Sequence, residues 1–242
     1  MSASGALTAE FEILYRDDRL CAIDKPCGIM VHRSSRSTDS RFIMGLLRDQ
    51  LGQRVWPIHR LDRATSGVLL FALDSETAGK LGQQMMAREV GKRYLCVVRG
   101  HMKDSGLIDH PLKAEGHGPE QAAVTEYRCL GRMELPIAIG RYPSARYSLV
   151  EARPRTGRMH QLRRHFKHVF HPIIGDTTYG EGRHNRLFRQ HLACHRMLLH
   201  ASDLELQHPE LDQPLKLHAP LTGEFRALME QQFSGAVEHF SS

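Results

Sequence analysis

His59-Arg60-Leu61-Asp62-Arg63-Ala64-Thr65-Ser66-Gly67-Val68-Leu69-Leu70-Phe71-Ala72 sets one carboxylate among polar bases and then passes straight into apolar chain. The uninterrupted run from Val68 to Leu73 has the composition of a strand covered on both faces. Ser66-Gly67 ahead of it is a turn signal that ends the loop. Asp62 is therefore expected on a loop held by a rigid strand. An ionised carboxylate there can serve as a nucleophile or an electrostatic stabiliser. A structural ion pair with Arg60 or Arg63 explains the same residues.

Around this stretch the 242 residues are 41% hydrophobic, enough to bury a sizeable core. No apolar run approaches the roughly 20 residues needed to cross a bilayer, and MSASGALTAE lacks the order of a signal peptide. A soluble, cytoplasmic protein without membrane contact is expected. The five cysteines are scattered and form no close pair, which speaks against disulfides and zinc.

The net charge of +6 is unevenly spread. Arg141 to Arg196 holds twelve Lys/Arg against three acids, a balance of +9, which leaves the remainder at −3. A segment of this kind is expected to meet a polyanion, most simply nucleic acid; a solvated basic surface is the plainer alternative.

The pattern along the chain predicts a hairpin (Phe11–Tyr15, Leu20–Asp24), then a helix closed by Gly52 with Asp39 or Ser40 as N-cap. A second helix runs from Asp74-Ser75 to about Val90, with Gly91 as terminator. Lys92–Arg99 follows as a strand, and 100–121 as a long irregular connection. Ala123–Leu130 and Arg146–Arg153 read as strands. His160–Val169 reads as a helix with Leu162, Phe166 and Val169 on one side and His160, Arg163, Arg164 and Lys167 on the other. Arg163 falls at the border of the apolar stripe and can point inward. Strands at Arg196–Ala201, Leu204–His208 and Leu215–His218 and a helix at Phe225–Phe233 complete the chain. Hairpins and separated helices predict an α+β protein with a mixed, largely antiparallel sheet flanked by helices.

Sixteen histidines invite a metal, but His191-Leu192-Ala193-Cys194-His195 lacks the glutamate of a zinc hydrolase, and His165, His168 and His171 sit among arginines. No Gly-x-Ser-x-Gly elbow and no phosphate-cradling glycine loop is present. A carboxylate loop, Tyr94, Arg163 and a basic surface without any cofactor motif suit chemistry on RNA itself.

The 59–70 stretch resembles the hallmark motif of the RluA-type pseudouridine synthases. Asp24-Lys25-Pro26-Cys27-Gly28 with Val31-His32, Lys92-Arg93-Tyr94, and Thr156-Gly157-Arg158-Met159-His160-Gln161-Leu162-Arg163 are similar to family motifs in the family's order. So are His171-Pro172-Ile173-Ile174-Gly175-Asp176 with Tyr179-Gly180, and Leu199-His200-Ala201. The resemblance spans about Ile13 to Phe225. It implies the pseudouridine synthase catalytic fold and a uridine-to-pseudouridine isomerisation with no cofactor or metal. It further implies Asp62 as nucleophile, Arg163 as its ion-pair partner and Tyr94 against the target base. Arg60 would fill the gap left by the flipped uridine, and His59, Arg63, Arg158, His160, Arg164 and Lys167 would contact RNA.

Residues 1–10 are expected to be a flexible N-terminal tail and 11–242 a single catalytic domain acting as a monomer, with no separate N-terminal RNA-binding module. Leu47-Arg48-Asp49-Gln50-Leu51-Gly52-Gln53, Gly140-Arg141-Tyr142-Pro143 and His160-Gln161-Leu162-Arg163-Arg164-His165 are most similar to family members that act on tRNA. They imply a T-arm stem uridine near the acceptor junction as substrate. A ribosomal RNA uridine is the alternative; a non-catalytic RNA-binding protein of the same fold is the alternative of a different class.

Overall fold

The computed structural model describes residues 10–33, 41–114 and 118–234. The N-cap candidates Asp39 and Ser40, and all of the expected tail except Glu10, lie outside the described residues. Strands β1 (Ile13–Arg16), β2 (Leu20–Lys25), β3 (Trp56–Pro57) and β4 (Ser66–Ala72) make one half of a ten-stranded sheet. The other half is built from β5 (Gly91–Arg99), β6 (Ser105–Asp109), β9 (Val124–Leu135) and β10 (Ala145–Pro154). Strand β11 (Leu199–Gln207) joins the halves, in the order β1-β2-β4-β11-β5-β10-β9-β6, with β12 (Pro214–His218) on β11 and β3 on β4. β7 (Leu112–Lys113) and β8 (Glu120–Gln121) form a separate pair. Among the described pairings only β4–β11 is parallel, so the sheet is mixed and largely antiparallel, as the sequence pattern predicts.

Strand alternation sends successive side chains to opposite faces. From β4, Leu69 and Phe71 pack with Ile43 and Leu47 of α1 (Ile43–Leu51), whereas Val68 and Leu70 pack with Leu81 of α2 (Ser75–Ala87). In the other half Cys96, Val98, Val150 and Ala152 meet Leu162 and Phe166 of α3 (Gln161–His168). Leu95, Val97, Tyr147 and Leu149 meet Phe188 of α4 (Gly182–His191) and Phe225 of α5 (Gly223–Gln232) on the opposite face. Each fully buried Leu or Phe in these layers stabilises by roughly 1.5–3 kcal/mol. No described helix is long and apolar enough to cross a membrane.

The structure corrects the sequence pattern at several points. Ser66-Gly67 is not a turn but the start of β4, where a Cβ on Gly67 would stand 2.1 Å from the Ala201 carbonyl oxygen. The glycine is required by the close join of β4 to β11. Helix α2 ends at Arg88, whose φ of 63° gives the left-handed cap, so Gly91 is free to open β5. Helix α1 is capped by Phe42 without a side-chain hydrogen bond. The stretch 100–121 holds β6, β7 and β8, short and mostly exposed strands with little apolar alternation to betray them. Helix α4 leaves little apolar pattern in the sequence, because only Leu187 and Phe188 in it are apolar. Leu204–His208 and the end of Arg196–Ala201 are one strand, bulged between Ala201 and Asp203.

Candidate active site

The Asp62 loop is anchored from beneath by the end of β2. Lys25 is fully buried, and its ammonium donates to the carbonyls of Pro26 (2.9 Å), Arg63 (3.3 Å) and Thr65 (2.8 Å). Gly28 N–H donates to Arg63 O at 2.8 Å, and the Thr65 N–H closes the turn on Asp62 O at 3.0 Å. Burial lowers the Lys25 pKa to about 8, while the nearby Cys27 and Asp62 oppose the shift. The Asp24–Gly28 motif is thus the seat of the Asp62 loop.

Arg163 is 7% exposed and spans two carboxylates. Its Nη1 donates to Asp62 Oδ2 at 3.0 Å, and its Nε and Nη2 fork onto Asp176 at 2.7 and 2.9 Å. Asp176 is 2% exposed and also accepts the backbone N–H groups of Thr178 and Tyr179. Despite burial, these hydrogen bonds hold its carboxyl below the ordinary range. The Tyr179 ring lies 5.1 Å from the Arg163 guanidinium, and its hydroxyl meets His160 Nδ1 at 3.1 Å. His160, in the left-handed conformation ahead of α3, places Nε2 3.7 Å from Asp62 Oδ1. Burial favours its neutral form, against the pull of Asp62.

Asp62 opens onto a cavity of about 1200 Å³ lined by the Asp62 loop, the end of α2, the start of β5 and the chain leading into α3. Tyr94, Arg60, Arg158, His160 and Arg163 all line it, as do Lys92, Met85 and Met86. Burial, with the Asp62 charge, pushes the Tyr94 phenol well up, so Tyr94 faces the cavity as a neutral ring. His59 also lines it, but its Nε2 accepts the Leu70 N–H at 3.2 Å and burial lowers its pKa to about 4. It anchors the loop to β4 as a neutral ring. Arg63 donates to Gly28 O, and Arg158 to Ala122 O. Arg164, on the side of the helix away from the apolar stripe, is nevertheless half-buried and braces Lys113 O at 2.9 Å. Lys167 is exposed, with its ammonium 5.8 Å from the Tyr179 ring. Neither Arg164 nor Lys167 lines the cavity.

The basic segment contributes arginines to two cavities. Arg153, Arg155 and Arg158 line the main cavity, whereas Arg141, Arg146 and Arg183 line a second one. Asp176 and Tyr179 were visible in the sequence as a motif but without a role, because nothing in spacing shows that they meet Arg163. Lys92 shares the Tyr94 face of β5 by simple alternation. No group of three or more His, Cys, Asp or Glu among the described residues could hold a metal ion.

This arrangement, a carboxylate gripped by a buried arginine beside a neutral tyrosine in a basic cavity, is accompanied by a match of residues 19–168 to the RNA pseudouridylate synthase family. The chain belongs to that family and is a pseudouridine synthase, an isomerase. It is 46% identical over 231 residues to tRNA pseudouridine synthase C of Vibrio cholerae, covering 91% of this chain and 95% of that protein. The Haemophilus ducreyi protein of the same name is 47% identical over 92% of this chain and 96% of its own length. The Pectobacterium carotovorum one is 49% identical, and this chain spans 61% of its length. Among solved structures, human RNA pseudouridylate synthase domain containing 1 superposes with a TM-score of 0.71 at 26% identity, covering 88% of this chain and 84% of that one. Human RNA pseudouridylate synthase domain containing 4 gives 0.70 at 26%, covering 91% and 92%.

Proposed function

We propose that this protein isomerises a uridine of tRNA, uridine 65 in the T-arm stem, with Asp62 as nucleophile and without a cofactor. The observation that carries the reading is the Arg163–Asp62 bond at 3.0 Å at the wall of a cavity large enough for an extruded nucleotide. The names of the relatives point to tRNA.

The carboxylate adds to the anomeric carbon or to the uracil ring, the C1′–N1 bond breaks and the ring turns. C5 then joins C1′ and the bond to Asp62 breaks, which regenerates the carboxylate; the C5 proton leaves to solvent and N1 takes one up, so product and substrate are isomers. Arg163 keeps Asp62 oriented and offsets its charge. Tyr94 lies against the base as a neutral ring. Arg60 fills the place of the extruded uridine. Arg158 and His160 contact the flanking backbone from the cavity wall, Arg63, Arg164 and Lys167 from outside it.

Incubation with bulk tRNA tritiated at uracil C5 tests this. Tritium should pass to water with the native chain, and none should with Asp62→Asn, which should still bind tRNA. Multiple turnovers by Asp62→Asn would overturn the nucleophile assignment. Pseudouridine mapping in cells lacking the protein should show loss of the T-arm site, and loss of a ribosomal site alone would overturn the substrate.

A further inference from the structure

Among the described residues, neither Arg141 nor Arg183 makes an ion pair. Both line the second cavity, of about 660 Å³, together with Arg99, Arg146 and Tyr142. Glu181 is the one carboxylate in its wall, and Arg99 already takes it as an ion-pair partner. Arg146 faces Glu134 at 3.6 Å, so the unmatched charge belongs to the other two arginines.

Part of the wall is a hydrogen-bonded turn. Ile139 and Tyr142 exchange backbone hydrogen bonds of 2.9 and 3.1 Å, which makes Gly140-Arg141 a two-residue hairpin tip. Gly140 has a φ of +60°, and the Arg183 guanidinium lies 3.3 Å from where a Cβ would stand. A side chain at Gly140 would crowd Arg183. Tyr142 is 50% exposed, with the Arg141 guanidinium 5.1 Å from its ring. Arg141 also donates to the Tyr142 hydroxyl at 2.9 Å, and two guanidinium groups lining one cavity beside a half-exposed aromatic ring suit a phosphodiester next to an unstacked base.

This cavity is separate from the catalytic one. Tyr94 and Arg99 lie on the same strand, and by their separation in sequence they are about 17 Å apart and point to opposite faces. We propose that the second cavity holds the backbone of a part of the RNA remote from the target uridine. The inference rests on the RNA-modifying reading above and assigns to Gly140-Arg141-Tyr142 a task that the catalytic site leaves open.

The test compares the native chain with Arg141→Gln/Arg183→Gln, whose sites are exposed, on full-length tRNA and on an excised T-arm stem-loop. Binding is measured apart from turnover. For full-length tRNA, the double variant should bind about tenfold more weakly and its log–log salt slope should fall by about one to two, as expected for two lost phosphate contacts. Its kcat should stay unchanged, and the stem-loop should be bound equally by both proteins. Restoring charge with Arg141→Lys/Arg183→Lys should recover most of the salt slope. An unchanged affinity and slope for full-length tRNA would overturn the proposal. An equal loss on the stem-loop would overturn the remote placement. A native chain that binds in this pattern yet releases no tritium would instead sink the catalytic reading.

Discussion

Asp176 holds Arg163 from behind: its two carboxylate oxygens take Nε and Nη2 at 2.7 and 2.9 Å, leaving Nη1 alone to reach Asp62 at 3.0 Å. A long side chain with several rotors is thereby reduced to one orientation before substrate arrives. The Thr178 and Tyr179 N–H groups fix Asp176 in turn. The three side chains form one linked unit, with Asp62 and Arg163 in the cavity wall and Asp176 behind them.

Asp176→Asn should therefore act on catalysis without touching RNA. An amide of the same size cannot accept both guanidinium bonds, so Arg163 is freed to drift, and a misplacement of about 1 Å costs on the order of 10²-fold in rate. We expect kcat to fall by about that factor with KM changed less than threefold. A variant with native kcat would show that Arg163 is held in place without Asp176.

Much of this is legible in the sequence. The period-two strands and the two-faced helix carrying Arg163 follow from apolar spacing, and the Asp62 loop from its position before a buried strand. Long-range closure was not legible. Nothing in the spacing tells that Asp176 returns to Arg163, that Lys25 seats residues 63–65, or that Gly67 must be bare because Ala201 O stands where its Cβ would be. The basic segment shows the same limit, since a charge count cannot reveal that β10 and α4 share its arginines between two cavities.

His200 sets an acid limit on stability. It is 1% exposed, Nε2 faces Ala219 O at 3.0 Å, and Nδ1 faces a Ser66 hydroxyl that already accepts from Arg196 at 2.5 Å. That chain fixes the neutral ring with its proton on Nε2. Burial lowers its pKa to about 4. Between the ordinary histidine value and pH 4 the unfolded chain binds a proton that the folded one refuses, so stability falls as pH falls through this window. The loss should be about 2–3 kcal/mol at pH 4.5 relative to pH 7.5. Urea unfolding at the two pH values should show His200→Gln losing less by a comparable amount; an equal loss in both proteins would refute it.

Asp24 works in the opposite sense. Its Oδ1 is buried with no hydrogen-bond partner, and burial, helped by Glu12, raises its pKa to about 6. A carboxyl raised on folding favours the folded state below its unfolded pKa, and that advantage is lost as pH rises through 6. At pH 7.5 Asp24 is a partly desolvated charge, and Asp24→Asn should stabilise by about 1 kcal/mol once solvent screening is allowed for. The gain should disappear near pH 3.5. Thermal melts that show no gain at pH 7.5 would mean that Arg196 and Lys25 already compensate the charge.

Met86 is the most exposed large hydrophobic side chain in the cavity wall. It is 77% exposed in the last turn of α2, two residues before the left-handed Arg88, and it shares the wall with Met85, Ile58 and Val90 beside Lys92. A flexible thioether next to cations can cover the faces of bases that lose their stacking when a neighbouring nucleotide is extruded. Stacking contacts of this kind are worth roughly 1–3 kcal/mol per base. Met86→Ala should raise KM for tRNA about fivefold with kcat within twofold, and Met86→Glu should raise it further by repelling phosphate. Neither change should move the melting temperature, because the side chain supports no core. A native KM in Met86→Glu would place the RNA path away from the end of α2 and confine it to the Arg153–Arg158 wall.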